Sequence, residues 1–240
     1  MGTMDVNHAF ALWFTARALR PLHVIESGVL RGRSTWVLRQ AVGPAVPIYS
    51  IDPKDPSQLM GYRDDLSGGK TRYFVGDGFK DLAAVDWDGL IPVSQRNRTL
   101  VVLDDHASCS RRVQELLELG FVHVWFDDNH KTSWDCYSFN RACSPVSSDE
   151  SVVPYGDLFQ ITNLTVEEHR AKAAYLSSHI ETYFEFPAIY DGCSADGHRS
   201  VSLDPLVPQK SELRNYGLPA PKECWTRYVH LYPSYVKLRA

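Results

Sequence analysis

The stretch Leu22-His-Val-Ile-Glu26-Ser-Gly28-Val-Leu-Arg-Gly32-Arg-Ser34-Thr35 decides the fold. Leu22–Glu26 is a short apolar run that ends in a carboxylate. Ser27-Gly28 and Gly32 follow, and Ser34–Ala41 has the spacing of a helix stopped by Gly43-Pro44. A strand that turns through glycines into a helix N-terminus offers main-chain donors and a positive dipole end to an anion such as a carboxylate. Gly28 lets the backbone come close to a ligand, Gly32 permits the tight turn, and the Ser34 and Thr35 hydroxyls stand beside it. The dinucleotide spacing G-x-G-x-x-G is not met, which argues against nicotinamide and flavin cofactors. A plain strand–turn–helix is the competing reading.

Outward from this turn, short apolar runs and helical segments alternate. Pro47–Ile51 reads as a second strand ending at Asp52-Pro53, and Thr71–Val75 as a third that breaks at Gly76-Asp77-Gly78, with the polar loop Lys54–Lys70 between them. Leu100–Leu103 is the most apolar strand and runs into Asp104-Asp105-His106. Ser110–Leu119 is an amphipathic helix closed by Gly120, and Val122–Phe126 is a fifth strand ending at Asp127-Asp128-Asn129. Val6–Leu19 has helical spacing upstream, Val166–Tyr183 has it downstream, and Trp225–Lys237 alternates as a late strand or hairpin. Glu185–Pro219, rich in Pro, Gly and Ser, reads as surface loops. The pattern predicts an α/β fold: a doubly wound, mostly parallel sheet with helices on both faces and an irregular C-terminal extension. Ligands of such sheets sit beyond the carboxyl ends of the strands.

Composition excludes several classes. With 240 residues, 44% hydrophobic and 22% charged, the chain can bury a full core. A net charge of -4 leaves no basic footprint for nucleic acid, and no apolar run reaches the length of a membrane span. Five cysteines (Cys109, Cys136, Cys143, Cys193, Cys224) without C-x-x-C spacing read as free thiols in a reducing, cytoplasmic setting. Two sequons, Asn97-Arg98-Thr99 and Asn163-Leu164-Thr165, support a lumenal site instead if the chain is part of a longer secretory-pathway protein; the opening Met-Gly-Thr-Met fits a cut piece.

Chemistry concentrates at the strand ends. Asp52, at the tip of the second strand, has the position of a ribose-binding carboxylate; a solvated turn residue is the alternative. Four carboxylates and an amide follow the fourth and fifth strands. So many like charges in one cleft are costly unless a cation offsets them. Oxygen-only ligands favour a hard ion such as Mg²⁺. His106 is the nearest proton-transfer candidate and His130 the second; His123, inside a strand, reads as packed or surface. Tyr62, Trp87, Trp134, Tyr137 and Phe139 are aromatic candidates for a substrate pocket, with core packing the commoner fate of each.

Glu26-x-Gly28-x-x-x-Gly32-x-Ser34 resembles the first motif of class I S-adenosylmethionine methyltransferases as it occurs in catechol O-methyltransferase. The wording Glu-Ser-Gly-Val-Leu-Arg-Gly is nearer still to macrocin-type sugar O-methyltransferases and cephalosporin-hydroxylase-like proteins. The resemblance covers about Val24 to Asn129. It implies a Rossmann-like methyltransferase fold over 1–240, with an N-terminal helix at 1–20, a cofactor core at 21–130 and acceptor-side elaboration at 131–240. It implies S-adenosylmethionine at Glu26, Ser27, Gly28, Gly32, Ser34, Thr35, Asp52, Asp77, Gly78 and Asp104, with Gly76-Asp77-Gly78 near adenine. It implies a divalent ion, Mg²⁺, at Asp104 with Asp127 and Asp128, or with Asp128-Asn129 in the catechol alignment. Asp104 and His106 are then the expected catalytic residues. One departure stands out. Where related enzymes carry a lysine beside the first metal aspartate, this chain has Ala107, Ser108 and Cys109. The expected reaction is methyl transfer to a small-molecule or sugar hydroxyl, with a homodimer as the assembly. An oxidative enzyme of the cephalosporin-hydroxylase type and a cofactor-binding module without catalysis are the alternatives; the two-histidine, one-carboxylate set of non-haem iron is not visible in these clusters.

Overall fold

Thr99–Leu103 is buried at every residue, the signature of a parallel strand covered by helices on both faces. Its alternating side chains feed two cores. Val101 and Leu103 join Ile25, Ile51, Val124 and Phe126 on one side; Leu100 and Val102 join Val24, Ile48 and Trp125 on the other. Each fully buried aliphatic side chain contributes about 1.5–3 kcal/mol, so this strand anchors both layers.

The computed structural model describes residues 4, 6–130, 135–147, 149–187 and 233–239. Among them the strands are β1 (His23–Ser27), β2 (Ile48–Asp52), β3 (Thr71–Val75), β4 (Thr99–Leu103), β5 (His123–Phe126), β6 (Val152–Asp157), β7 (Gln160–Thr165), β8 (Ile180–Glu185) and β9 (Ser234–Leu238). The helices are α1 (Val6–Leu19), α2 (Arg33–Val42), α3 (Val93–Arg96), α4 (Cys109–Leu119), α5 (Phe139–Cys143) and α6 (Val166–His179). Seven strands form one sheet in the order β3-β2-β1-β4-β5-β9-β8. The first five are parallel, and β9 runs antiparallel between β5 and β8. The predicted doubly wound, mostly parallel sheet is therefore observed. α1 and α2 contribute to the core that holds Val24 and Trp125; α4 and α6 contribute to the opposite one.

Local signals place the helices. Ser108 caps α4 by accepting from Arg111 N, and Gly120 closes it in a left-handed conformation. Thr165 and Glu168 form a capping box at the start of α6. Two expectations are corrected. The helix expected to reach Tyr183 stops at His179, because the β-branched and aromatic run Ile180–Glu185 pairs with β9. The antiparallel hairpin β6–β7 was missed: its outer face is exposed and its alternation is weak. Of the late alternating stretch, the part before 233 lies outside the described residues, as do 188–219 of the expected loop region. Its end forms β9. Cys193 and Cys224 also lie outside, while Cys109, Cys136 and Cys143 are free thiols. No helix among the described residues is long and apolar enough to cross a membrane.

Gly28 locks the upper edge of the sheet. Its φ is +94°, and a Cβ there would lie 2.0 Å from the Asp104 carbonyl oxygen, so the turn after β1 is pressed onto the end of β4. Gly68 has a similar φ of +81° but open space around it. Gly68→Ala is expected to cost about 1–2 kcal/mol in urea unfolding, the left-handed penalty alone. Gly28→Ala is expected to cost roughly 1–3 kcal/mol more, from overpacking. Equal losses would show that the Gly28–Asp104 approach is not tight.

Candidate functional site at the carboxyl edge of the sheet

The strand ladders run one residue past β1, β4 and β5: Gly28 N donates to Ile51 O, Asp104 N to Ser27 O and Asp127 N to Leu103 O, at 2.8–2.9 Å. This places Asp52, Gly28, Asp104 and Asp127 in one row along the edge. Seven carboxyl groups gather there, counting Glu26, Asp105, Asp128 and the later Asp135.

Glu26 lies beneath the turn. It is fully buried, and its Oε2 accepts from Thr35 Oγ1 and Ser50 Oγ, each at 2.7 Å. Burial raises its pKa, against hydrogen bonds from Ser34, Thr35 and Ser50 that lower it. The Ser34 and Thr35 hydroxyls, expected to face a ligand's anion, are thus turned onto the protein's own carboxylate. Ser27 is also buried and donates to Asp105 Oδ2 at 2.5 Å. Asp52 shapes the turn from outside: its Oδ2 accepts Val29 N (2.9 Å) and Leu30 N (2.8 Å), and its Oδ1 accepts Lys54 N. The Oδ1 atom keeps lone-pair capacity for a ligand hydroxyl. Gly32, at φ +74°, packs under the Tyr62 carbonyl, 2.2 Å from where a Cβ would stand. Asp77 and Gly78 sit in an exposed single turn after β3.

Asp105, one of the four carboxylates expected at the strand ends, is a hub whose partners the sequence did not reveal. Besides Ser27 it takes Arg112 Nη2 at 2.7 Å and Ala107 N at 3.0 Å. Arg112 is almost fully buried and also pairs with Asp81 and Glu115. Helical spacing put Arg112 and its i+3 partner Glu115 on α4, but Asp81 and Asp105 come from other segments that no local pattern connects to it.

At the far end of the row, Asp104, His106 and Asp128 bring ligand atoms within 4.8 Å of one another, and Asp128, His130 and Asp135 form a second such group. His106 Nδ1 lies 3.1 Å from Asp128 Oδ2 and 3.2 Å from Asp135 Oδ2. His130 Nε2 lies 3.3 Å from Asp135 Oδ2. Asp127 Oδ1 meets His8 Nδ1 of α1 at 2.7 Å. Asn129 is turned away: its amide donates to Tyr183 Oη and Glu185, and its oxygen accepts Asn140 N. Of the two alternative acidic pairs, the side chains of Asp127 and Asp128 face Asp104, and that of Asn129 does not. His8 was missed because it reaches the site from the N-terminal helix, and Asp135 because it follows the Asp127-Asp128-Asn129 cluster with no strand end to mark it.

These contacts set the protonation pattern. Burial raises Asp104 well above the usual carboxylate range, and Asp127, Asp128 and Asp105 raise it further. Asp128 is pushed up to about 7 by burial, with His106 partly offsetting this and Asp127 and Asp135 adding to it. For Asp135 burial acts upward but is outweighed by hydrogen bonds from His106 and His130, which hold it below the usual range. His106 is raised: burial lowers it, and Asp135 and Asp128 more than compensate.

The aromatic candidates resolve mostly into core. Trp87, Tyr137 and Phe139 are buried, with Trp87 Nε1 donating to Leu82 O and Tyr137 Oη meeting His169. Tyr62 is half-buried and donates to Asp64. Trp134 lies outside the described residues. His123 pairs with Tyr235 Oη at 2.7 Å, as a packed strand residue.

No family model matches the sequence, and no curated protein matches it. Among solved structures the chain is similar to the O-methyltransferase TomG from Streptomyces achromogenes in complex with SAM (15% identity, 77% of this chain and 75% of that one, TM-score 0.48). It is similar to an O-methyltransferase from Bacillus cereus in complex with SAH (11%, 77% and 76%, TM-score 0.45). A third is the N-terminal domain of EvdMO1, determined in the presence of SAH and D-fucose (11%, 100% and 85%, TM-score 0.49). The strand order β3-β2-β1-β4-β5-β9-β8 is that of the doubly wound, mostly parallel sheet expected from the sequence.

Two variants test the electrostatics. Glu26 has a raised folded-state pKa, so its ionisation opposes folding as pH climbs above the unfolded value. Glu26→Gln is therefore expected to gain stability over the wild type progressively from about pH 4.5 upward; thermal melts at a series of pH values read this, and a pH-independent difference would contradict it. Arg112→Met takes its guanidinium away from Asp105 while Arg111 still holds Asp81 and Glu115, and it is expected to cost about 3–5 kcal/mol in denaturant unfolding.

Proposed function

We propose that this protein transfers a methyl group from S-adenosylmethionine to a hydroxyl of a small molecule, with a sugar as the acceptor class and a divalent cation, Mg²⁺, held at the carboxyl edge. The observation that carries the reading is Asp104. Its carboxylate lies within 4.8 Å of ligand atoms of His106 and Asp128, and Asp127, Asp128 and Asp105 all push its carboxyl up beyond the effect of burial. Carboxyls gathered so closely need a shared proton or a cation among them. Asp104, Asp127 and Asp128 thus fit a hard cation, and the glycine turn with Asp52 fits a nucleoside carrying vicinal hydroxyls. When bound, the pair supplies an electrophilic methyl and a positive charge that acidifies the acceptor hydroxyl.

The chain's own residues do the rest. Asp128 and Asp135 hold His106 by Nδ1, which fixes the tautomer and leaves Nε2 to take the acceptor's proton. Its side chain is 28% exposed, so a substrate can reach it. His130 is buried and serves to balance Asp135. The missing lysine is answered by this histidine. A homodimer remains part of the proposal.

A second reading has one observation in its favour: two histidines converge on Asp135 and Asp128, the donor types of an oxidative iron site. Against it, His106 Nδ1 faces two carboxylates and so presents an N–H there rather than a lone pair. Metal analysis of the purified protein separates the two; stoichiometric iron would favour the oxidative enzyme.

Calorimetry should detect S-adenosylhomocysteine binding at micromolar or tighter affinity, and absence of heat would refute the methyl-transfer reading. With labelled cofactor and a panel of sugars and phenols, EDTA should abolish turnover. Asp104→Asn should lower kcat by about 100-fold or more while the protein melts no lower than wild type. Full activity in EDTA would leave Asp104 without a metal.

A further inference from the structure

Backbone strain gathers around the candidate site. Six non-glycine residues among those described have positive φ: Arg20, Leu30, Met60, His106, Leu158 and Phe159. Apart from Arg20, they lie on loops that follow β1, β2 and β4 or at the tip of the β6–β7 hairpin. Such conformations cost about 1–2 kcal/mol each for residues with a Cβ, and they persist where the surroundings over-determine them.

The hairpin tip is the extreme case. A two-residue turn with φ +51° and +64° at its central positions is normally Asn-Gly; here it is Leu158-Phe159. Both side chains are solvent-facing, Phe159 at 60% exposed. Neither stabilises the core, yet the tip is firmly docked. Leu158 N donates to His106 O at 2.7 Å and Phe159 N to Asp135 O at 3.0 Å. Asp157 Oδ1 accepts Ser108 N. Gly156 packs so closely on Asp135 and Cys136 that a Cβ would stand 2.8 Å from their main chain. The result places the Phe159 ring 4.1 Å from the His106 imidazole, centroid to centroid.

We propose that the Leu158–Phe159 turn is the acceptor-gripping element of the site, with Phe159 presenting an apolar platform against which the ring of the acceptor lies while its hydroxyl meets His106. The proposal rests on the methyl-transfer reading and deepens it. An exposed aromatic face beside histidine and carboxylates suits a ligand with a flat apolar ring face adjoining a hydroxyl. A pyranose and a phenol share that chemistry. The strained backbone is what aims Phe159 at the imidazole; an Asn-Gly turn would satisfy the hairpin and present nothing. Phe159 also acts as a positioning residue for His106, since its ring packs on the imidazole.

The test uses the whole protein and two variants, Phe159→Ala and the double change Leu158→Asn with Phe159→Gly. The double variant should melt about 2–4 °C higher than wild type for each kcal/mol of turn strain relieved, and S-adenosylhomocysteine affinity should stay unchanged in both. Saturation-transfer NMR with methyl pyranosides in one arm and catechol in the other should show ring C–H contact in the wild type. Binding should weaken about tenfold in Phe159→Ala, the scale of one lost ring contact, and with it KM should rise more than kcat falls. Equal ligand binding by wild type and Phe159→Ala overturns the proposal, as does an absence of binding in both arms. A double variant that melts lower shows that the turn was not strained. Failure of S-adenosylhomocysteine to bind the wild type instead refutes the methyl-transfer reading beneath it.

Discussion

Like charges crowded at one edge of a parallel sheet are the constraint that organises this molecule. Hydrogen bonds between β1, β4 and β5 leave no freedom in where Glu26, Asp104 and Asp127 emerge, so their mutual repulsion must be met by what surrounds them. Each is met differently. Hydroxyls serve Glu26, main-chain N–H groups serve Asp52, a buried guanidinium serves Asp105, and imidazoles serve Asp127, Asp128 and Asp135. A buried carboxylate without such a partner would cost several kcal/mol. Asp104 is the one whose strongest neighbours only deepen the repulsion.

The same logic explains why the loops above the sheet are tied down by contacts from other segments. α1 brings His8 across the edge, α4 brings Arg112, and the β6–β7 hairpin brings the main-chain donors of Leu158 and Phe159 onto His106 and Asp135. A site that needs groups held to within fractions of an ångström is better built on such elements than on free loops. The Gly28–Asp104 approach completes the frame, since it lets the β1 turn and the β4 end share one surface.

Much of this was legible in the order of residues. Val6–Leu19 and Thr71–Val75 were placed at their observed ends, and the other central strands to within one or two residues, because apolar runs broken by glycine or a carboxylate at each strand end leave little choice of register. Asp104, Asp127 and Asp128 were legible for the same reason: strand ends converge in any parallel sheet. What was hidden is long-range. Arg112, Asp135 and His8 join the site through contacts with distant segments, and nothing in their neighbours marks them. The β6–β7 hairpin was hidden because half its residues face water, and Ile180–Glu185 because its edge-strand pairing with β9 overrode a helical run. Ser34 and Thr35 stand where the sequence put them, at the helix N-terminus, and their hydroxyls meet the buried Glu26, a partner the local pattern does not reveal.

The uneven distribution of charge within the cluster has a chemical consequence. Asp135 and Asp128 face the same histidine, yet one is driven down and the other up to about 7. The difference lies in their remaining neighbours. Asp135 accepts hydrogen bonds from both histidines and from the Cys136 N–H, while Asp128 has His130 only at 3.9 Å and has Asp127 beside it. Negative charge therefore settles beneath the histidines, and the proton settles toward Asp104 and Asp128. On the proposed methyl-transfer reading, a cation at the carboxyl edge needs the deprotonated oxygens and displaces the protons they hold, while Asp135 keeps His106 oriented from the other side.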